Sequence, residues 1–141
     1  MDAIANQIPQ IMDLMVEAHG KSPQQDIPYD LDVLEQHLNY WVHDPRSIVL
    51  VSPDVTACYI MTLAPSWWSR KPFVLDIFLY SKTPGSGFRL MKEAMQWVDA
   101  WGDSVAGEAI TTSNASPDVD SMYKRLGYQT IGYKYQRSKT T

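Results

Sequence analysis

A chain of 141 residues with 45% apolar and 20% charged side chains is long enough to bury a core and too apolar to stay disordered. Its net charge of −4, with no dense basic stripe, excludes nucleic acid as a partner of the whole surface. No apolar run approaches the ~18 residues of a membrane span, and no basic start with an apolar core marks a signal peptide.

One cysteine, Cys58, allows no internal disulfide, so the chain reads as cytoplasmic. Cys58 lies in an apolar run and reads as a buried, inert thiol rather than a nucleophile. Residues 1–45 carry eight acids against one base, Lys21, leaving eleven bases and eight acids for the remainder. An anionic small ligand over the C-terminal two-thirds and a cationic one near the N-terminal third suit this split. A solvated acidic helix pair accounts for the same charges.

No internal repeat, low-complexity tract or long linker divides the sequence, which reads as a single domain over 1–141. The first expected element is a helix over Pro9–His19, with proline in its first turn and Ile8, Ile11, Met12, Met15 and Val16 on one face. A second helix over Leu31–His43 takes Asp30 as N-cap and puts Leu31, Leu34, Leu38 and Trp41 together. The β-branched runs Ser47–Ser52 and Val55–Leu63 flank Pro53-Asp54 as a hairpin, and Phe73–Tyr80 is a third strand. After the segment Lys82-Thr83-Pro84-Gly85-Ser86-Gly87, a helix runs over 88–101 and stops at Gly102. A strand over Ser104–Thr112, a short helix over Asp118–Leu126 closed by Gly127, and a strand over Tyr128–Arg137 complete the order. That order predicts an α/β fold, a mixed sheet with helices on both faces.

The chemistry is expected in residues 73–101. Glycines let a turn present successive N–H groups, and a helix N-terminus adds partial positive charge, which together suit phosphate oxygens. Gly-x-Gly before a helix also serves plain strand-to-helix turns. A P-loop needs Gly-Lys-Ser/Thr, and the dinucleotide fingerprint needs a third glycine and a ribose-binding acid; both are missing.

Two segments in order, Lys82-Thr83-Pro84-Gly85-Ser86-Gly87 and, after Ser113-Asn114, Tyr123-Lys124-Arg125-Leu126-Gly127-Tyr128, make the chain resemble the GNAT N-acetyltransferase superfamily. The family shows Gln/Arg-x-x-Gly-x-Gly/Ala between its fourth strand and third helix, and Tyr-x-x-Leu-Gly-Phe/Tyr later. The resemblance covers about residues 45–137. It implies a GNAT-like sheet and acetyl-CoA as co-substrate, with an amine of a small molecule or protein as acceptor. Amides of Gly85, Ser86 and Gly87, with Lys82 beside them, would hold the coenzyme A pyrophosphate. The strand edge at Ile77 and Leu79 would pair with the pantetheine arm, Asn114 would touch its amides, and Tyr123 would protonate the departing thiolate. Plain structural roles compete, with Asn114 ending a strand and Tyr123 packing on the sheet.

The sequence also departs from the family. The N-terminal first strand is short or absent, and Lys82 replaces the planar Gln/Arg with a point charge. No general base stands where the family carries one: those strand positions hold Lys71 and Phe73, and Ala109 on the later strand. Strict alternation turns Asp76 away from Phe73, Leu75 and Ile77, and turns Glu108 to the other face as well. His19, His37 and His43 lie on or near the first two helices without metal-ligand spacing, so no metal site is expected. Trp67-Trp68 reads either as an exposed anchor for a partner or oligomer contact, or as cover for the sheet edge. The missing base leaves a second reading beside the enzyme: a non-catalytic GNAT-fold interaction module in a larger assembly, such as a viral particle.

Overall fold

The computed structural model describes residues 1–22, 25–66, 69–83, 85–109 and 117–129. Helix α1 (Ile8–Gly20) has Pro9 in its first turn and buries Ile8, Ile11, Leu14 and Ala18, so its inner face is centred on Leu14 rather than Val16. Helix α2 (Leu31–His43) begins at Asp30, whose carboxylate accepts from the N–H groups of Asp32 at 2.9 Å and Val33 at 3.4 Å. That cap satisfies two of the donors every helix start leaves over. Only the C-terminal part of α2 turns inward: Leu38 is buried and Trp41 partly so, whereas Leu31 is exposed.

Strands β1 (Ser47–Val51) and β2 (Ala57–Ala64) form the expected hairpin. Strand β2 starts two residues later than Val55 because Val55 sits in the left-handed region at φ 54. The Ser52 hydroxyl closes this loop, accepting from the N–H groups of Thr56 and Ala57 at 3.0 Å each. Strand β3 (Phe73–Ser81) pairs antiparallel with β2, and β4 (Gly107–Ala109) pairs parallel with β3. The sheet is therefore mixed, in the order β1-β2-β3-β4. Helix α3 (Ser86–Trp101) crosses between the parallel strands, and α4 (Pro117–Arg125) follows β4. Ahead of the first helix the chain forms only an isolated bridge, Asp2 to Leu50, with Ala3 donating to the Val49 carbonyl, in keeping with the short or absent N-terminal strand expected from the sequence.

Each face of the sheet has its own core. Against α1 and α2 lie Val49, Val51, Cys58 and Ile60, with Phe78 and Tyr80 beside them. Against α3 and α4 lie Leu50, Ala57, Tyr59, Met61 and Val74, with Leu79 packed on. Burial pushes the Cys58 thiol up to about 12, as an inert core cysteine requires. The expected mixed sheet with helices on both faces is thus the fold adopted. The strand expected over 128–137 and the end of β4 beyond 109 lie outside the described residues, except that Tyr128 and Gln129 are not strand.

Candidate functional site

Strand β3 is not regular. Its register to β2 runs Ile60 with Phe78, then Met61 with Asp76, so Ile77 is an extra residue left out of the ladder. Such a bulge bends its strand and lets both flanking segments keep alternation while their parities differ. Val74, Asp76 and Leu79 consequently share the α3 face, whereas Phe78 and Tyr80 share the α1 face. Asp76 thus keeps the orientation expected from the sequence, opposite to Phe73 and Leu75, and strict alternation fails only beyond Ile77, where Phe78, Leu79 and Tyr80 change faces. Asp76 stands opposite Met61 on the face that carries Tyr59 and Tyr123. Glu108 stands beside Val74 in the parallel pair and faces the same way.

On its other edge β3 pairs with β4 only over Phe73–Leu75 among the described residues. Beyond that point Ile77, exposed at the bulge, and Leu79, half-buried, lie on the strand's remaining edge. At the end of β3 the chain turns into α3 through Gly85, at φ 82, where a side chain would be strained. A Cβ added at Gly85 would meet nothing within 4 Å, so the turn is open on its outer side. No side chain caps α3 among the described residues, which leaves its first N–H groups, including those of Ser86 and Gly87, for a ligand or water. Gly87 is needed for a different reason: a Cβ there would lie 3.3 Å from the Ser81 Cβ. The Ser86 hydroxyl bonds the Thr83 hydroxyl at 2.7 Å, tying the first residue of α3 to the turn. Cationic groups flank the same first turn, with Arg125 4.9 Å and Lys92 5.1 Å from the Phe88 ring centroid. Open amides, no neighbouring carboxylate cap and flanking cations fit an anionic phosphate group.

Lys82 is otherwise engaged. Its ammonium lies 3.6 Å from a Glu17 carboxylate oxygen on α1, and its own N–H donates to the Thr56 carbonyl at 2.8 Å. Asn114 lies outside the described residues, as do Trp67 and Trp68. His37 stacks on Trp41 at a centroid distance of 5.4 Å on an exposed part of α2. Among the described residues no three His, Cys, Asp or Glu side chains are grouped to hold a metal ion. Nor is any helix there long and apolar enough to cross a membrane.

Tyr123, on α4, is 8% exposed and its phenol oxygen lies 2.9 Å from that of Tyr59, which is 2% exposed. Its ring meets Tyr128 edge-on at 5.3 Å, and the Tyr128 hydroxyl donates to Glu108. Burial raises the Tyr123 phenol above its ordinary value; the Tyr59 hydrogen bond works the other way and the Asp76 charge adds to the rise. Burial raises Tyr59 too, followed by the charge of Tyr123 and their hydrogen bond, then by Asp76. Burial and the Glu108 hydrogen bond do the same for Tyr128. Tyr123 is therefore held as the neutral phenol, and its anion is disfavoured by its surroundings. Tyr59 was not singled out by the sequence, where it reads as one more aromatic in an apolar strand.

No protein-family model matches the chain, and no curated protein matches it in sequence. Solved structures do share its fold. A protein of Agrobacterium tumefaciens strain C58 assigned to the acetyltransferases superposes with a TM-score of 0.71 at 14% identity, over 99% of this chain and 98% of that one. One from Arthrobacter sp. FB24, with the same assignment, gives 0.72 at 16% identity, over 98% and 94% of the two chains. An aminoglycoside acetyltransferase from an uncultured soil metagenomic sample, solved with trehalose, gives 0.63 at 16% identity over 98% and 95%. The chain shares the fold of these proteins.

Proposed function

We propose that this protein is a single-domain, cytoplasmic N-acetyltransferase that moves an acetyl group from acetyl-CoA to an amine. The observation that carries the reading is the convergence on one sheet face of Tyr123, Asp76 and Glu108, beside the β3 edge that β4 leaves free among the described residues. The acetyltransferase fold agrees with it.

In this reading the N–H groups of Gly85, Ser86 and Gly87 hold the pyrophosphate, with Lys92 and Arg125 supplying positive charge. Lys82 joins them only if the anion draws it from Glu17. The backbone of Ile77 and Leu79 pairs with the pantetheine amides as an added strand, with Asn114 as a further contact. Tyr123 delivers the proton that the thiolate leaving group needs. Asp76, whose charge acts on both Tyr59 and Tyr123, receives the proton that the attacking amine gives up. The acceptor approaches from the acidic N-terminal third, which favours a cationic amine; an aminoglycoside is the first acceptor to try. The alternative of a non-catalytic module rests on the family's base positions holding Lys71, Phe73 and Ala109; Asp76 and Glu108, on the face that carries Tyr123, offer a carboxylate base from other positions.

Coenzyme A should raise the melting temperature, because a ligand bound only by the native state stabilises it by mass action. Thiol release from acetyl-CoA, followed with a panel of primary amines including an aminoglycoside, then reads transfer. Unchanged melting at millimolar coenzyme A rules out the site. Binding without transfer to any amine rules out the enzyme.

A further inference from the structure

We propose that Tyr59 is a positioning residue for proton delivery, donating its phenolic hydrogen to the Tyr123 oxygen and stabilising the phenolate that Tyr123 becomes. The inference rests on the acetyl-transfer reading. During transfer the amine nitrogen bonds the acetyl carbon and the C–S bond breaks. Tyr123 gives its proton to the departing sulfur, Asp76 takes the surplus proton of the amine and passes it to water, and water reprotonates Tyr123. Charge thus moves briefly onto a phenol oxygen that is 8% exposed. A buried anion without a donor is costly, and more so with a carboxylate close by.

The geometry supplies the donor from β2. Tyr59 is fixed in the middle of the sheet, with Leu79 opposite it on β3, and its hydroxyl is 2.9 Å from the Tyr123 oxygen. A phenolate has no hydrogen to give, so once Tyr123 has lost its proton only Tyr59 can be the donor in that pair. Such a bond between a neutral donor and a charged acceptor is stronger than the neutral pair it replaces. Its benefit therefore appears in the transition state more than in the resting protein. The other groups around the pair are arranged differently. Asp76 of β3 is an acceptor when ionised, and the Tyr128 hydroxyl donates to Glu108 of β4.

The test is a double-mutant cycle on the full chain, with acetyl-CoA and the best amine acceptor of the panel. Tyr59→Phe should lower kcat by about tenfold to a hundredfold, as for loss of a hydrogen bond to a charged group, with KM for acetyl-CoA unchanged. In a Tyr123→Phe background the same change should have almost no further effect, because Tyr59 acts only through the Tyr123 oxygen. An equal loss in both backgrounds, or none in either, overturns the proposal. A merely structural Tyr59 would change the melting temperature, where the same hydrogen bond couples the two positions, but would leave kcat in the wild-type background unchanged. Should Tyr59→Phe fail to fold, 3-fluorotyrosine at position 59 keeps the ring and the hydroxyl while strengthening the donor. It should alter kcat by about twofold or more in the wild-type background alone, and an unchanged kcat overturns the proposal. No transfer by the wild type would sink the acetyl-transfer reading and this inference together. Transfer with an additive cycle would sink only this inference.

Discussion

Met61 and Asp76 face each other across β2 and β3, and the next pair, Ile60 with Phe78, skips Ile77. Removing Ile77 would join two segments whose side chains already point to the correct faces. The ladder would then become regular, with Asp76 still beside Tyr59 and Tyr123, but the bend in β3 would be lost. Deleting Ile77 should therefore leave a folded protein while weakening coenzyme A by roughly tenfold or more, since a strand-like ligand needs the edge the bend exposes. Calorimetric titration beside a thermal melt separates the two effects. Undiminished coenzyme A binding in the deletion would disconnect the bulge from the site.

The two carboxylates on this face should not be equivalent. Glu108 already accepts from the Tyr128 hydroxyl and is exposed, whereas Asp76 is 8% exposed and acts electrostatically on both phenols. Asp76→Asn should reduce kcat on the order of 10²-fold, the usual scale for one acid–base group. Glu108→Gln should stay within about threefold of wild type, since an amide oxygen still accepts from Tyr128. The comparison is made by thiol release at saturating acetyl-CoA. A reversed order, with Glu108→Gln the slower variant, would move the base to β4.

At the start of α3 the two glycines should fail for different reasons. Gly85→Ala puts a side chain at φ 82 and should cost about 1 kcal/mol of stability, with the turn's outer side still open. Gly87→Glu forces bulk against Ser81 and brings a negative charge to the helix N-terminus. It should abolish the rise in melting temperature with coenzyme A while the far-ultraviolet dichroism stays native. A normal ligand-induced rise in Gly87→Glu would place the pyrophosphate elsewhere.

Much of this arrangement is legible in the sequence where the cause is local. Asp30 caps α2, Gly102 ends α3 and Gly127 closes α4, each as its residue type demands. The register of β3 is different in kind. Leu75, Ile77, Phe78 and Leu79 surround Asp76 with no glycine or proline to mark a bulge, so alternation carried through places Asp76 correctly with Val74 but puts Phe78, Leu79 and Tyr80 on the wrong faces. An acid inside an apolar strand was the only sign that something on that face needed it. Tyr59 carries no local sign at all, because its partner phenol lies 64 residues further along the chain. The inner face of α1 drifted for a milder reason: Leu14 and Ala18 continue the stripe as well as Val16 does, and the sheet selects between them.

Alkaline stability tests the buried acids together. Tyr59, Tyr123, Tyr128 and Cys58 all lose protons less readily in the folded chain, chiefly because burial disfavours their anions. In the unfolded chain the thiol ionises near pH ~8.5 and the phenols near ~10. A group whose folded value is raised contributes its full stability below the unfolded value and loses it as pH rises above that. Melting temperature should thus be insensitive to these groups at pH 7, begin to fall above about pH 8.5 through Cys58, and fall more steeply above about pH 10 through the tyrosines. Cys58→Ala should remove the first, shallower part of the decline, at a fixed cost from the lost volume that does not vary with pH. Tyr128→Phe should flatten the second part, because its phenol is raised by Glu108 as well as by burial. The measurement is a series of thermal melts from pH 7 to 11 on the wild type and both variants. Parallel curves for all three would show that Cys58 and Tyr128 ionise alike in the folded and unfolded chain, against the burial that raises both.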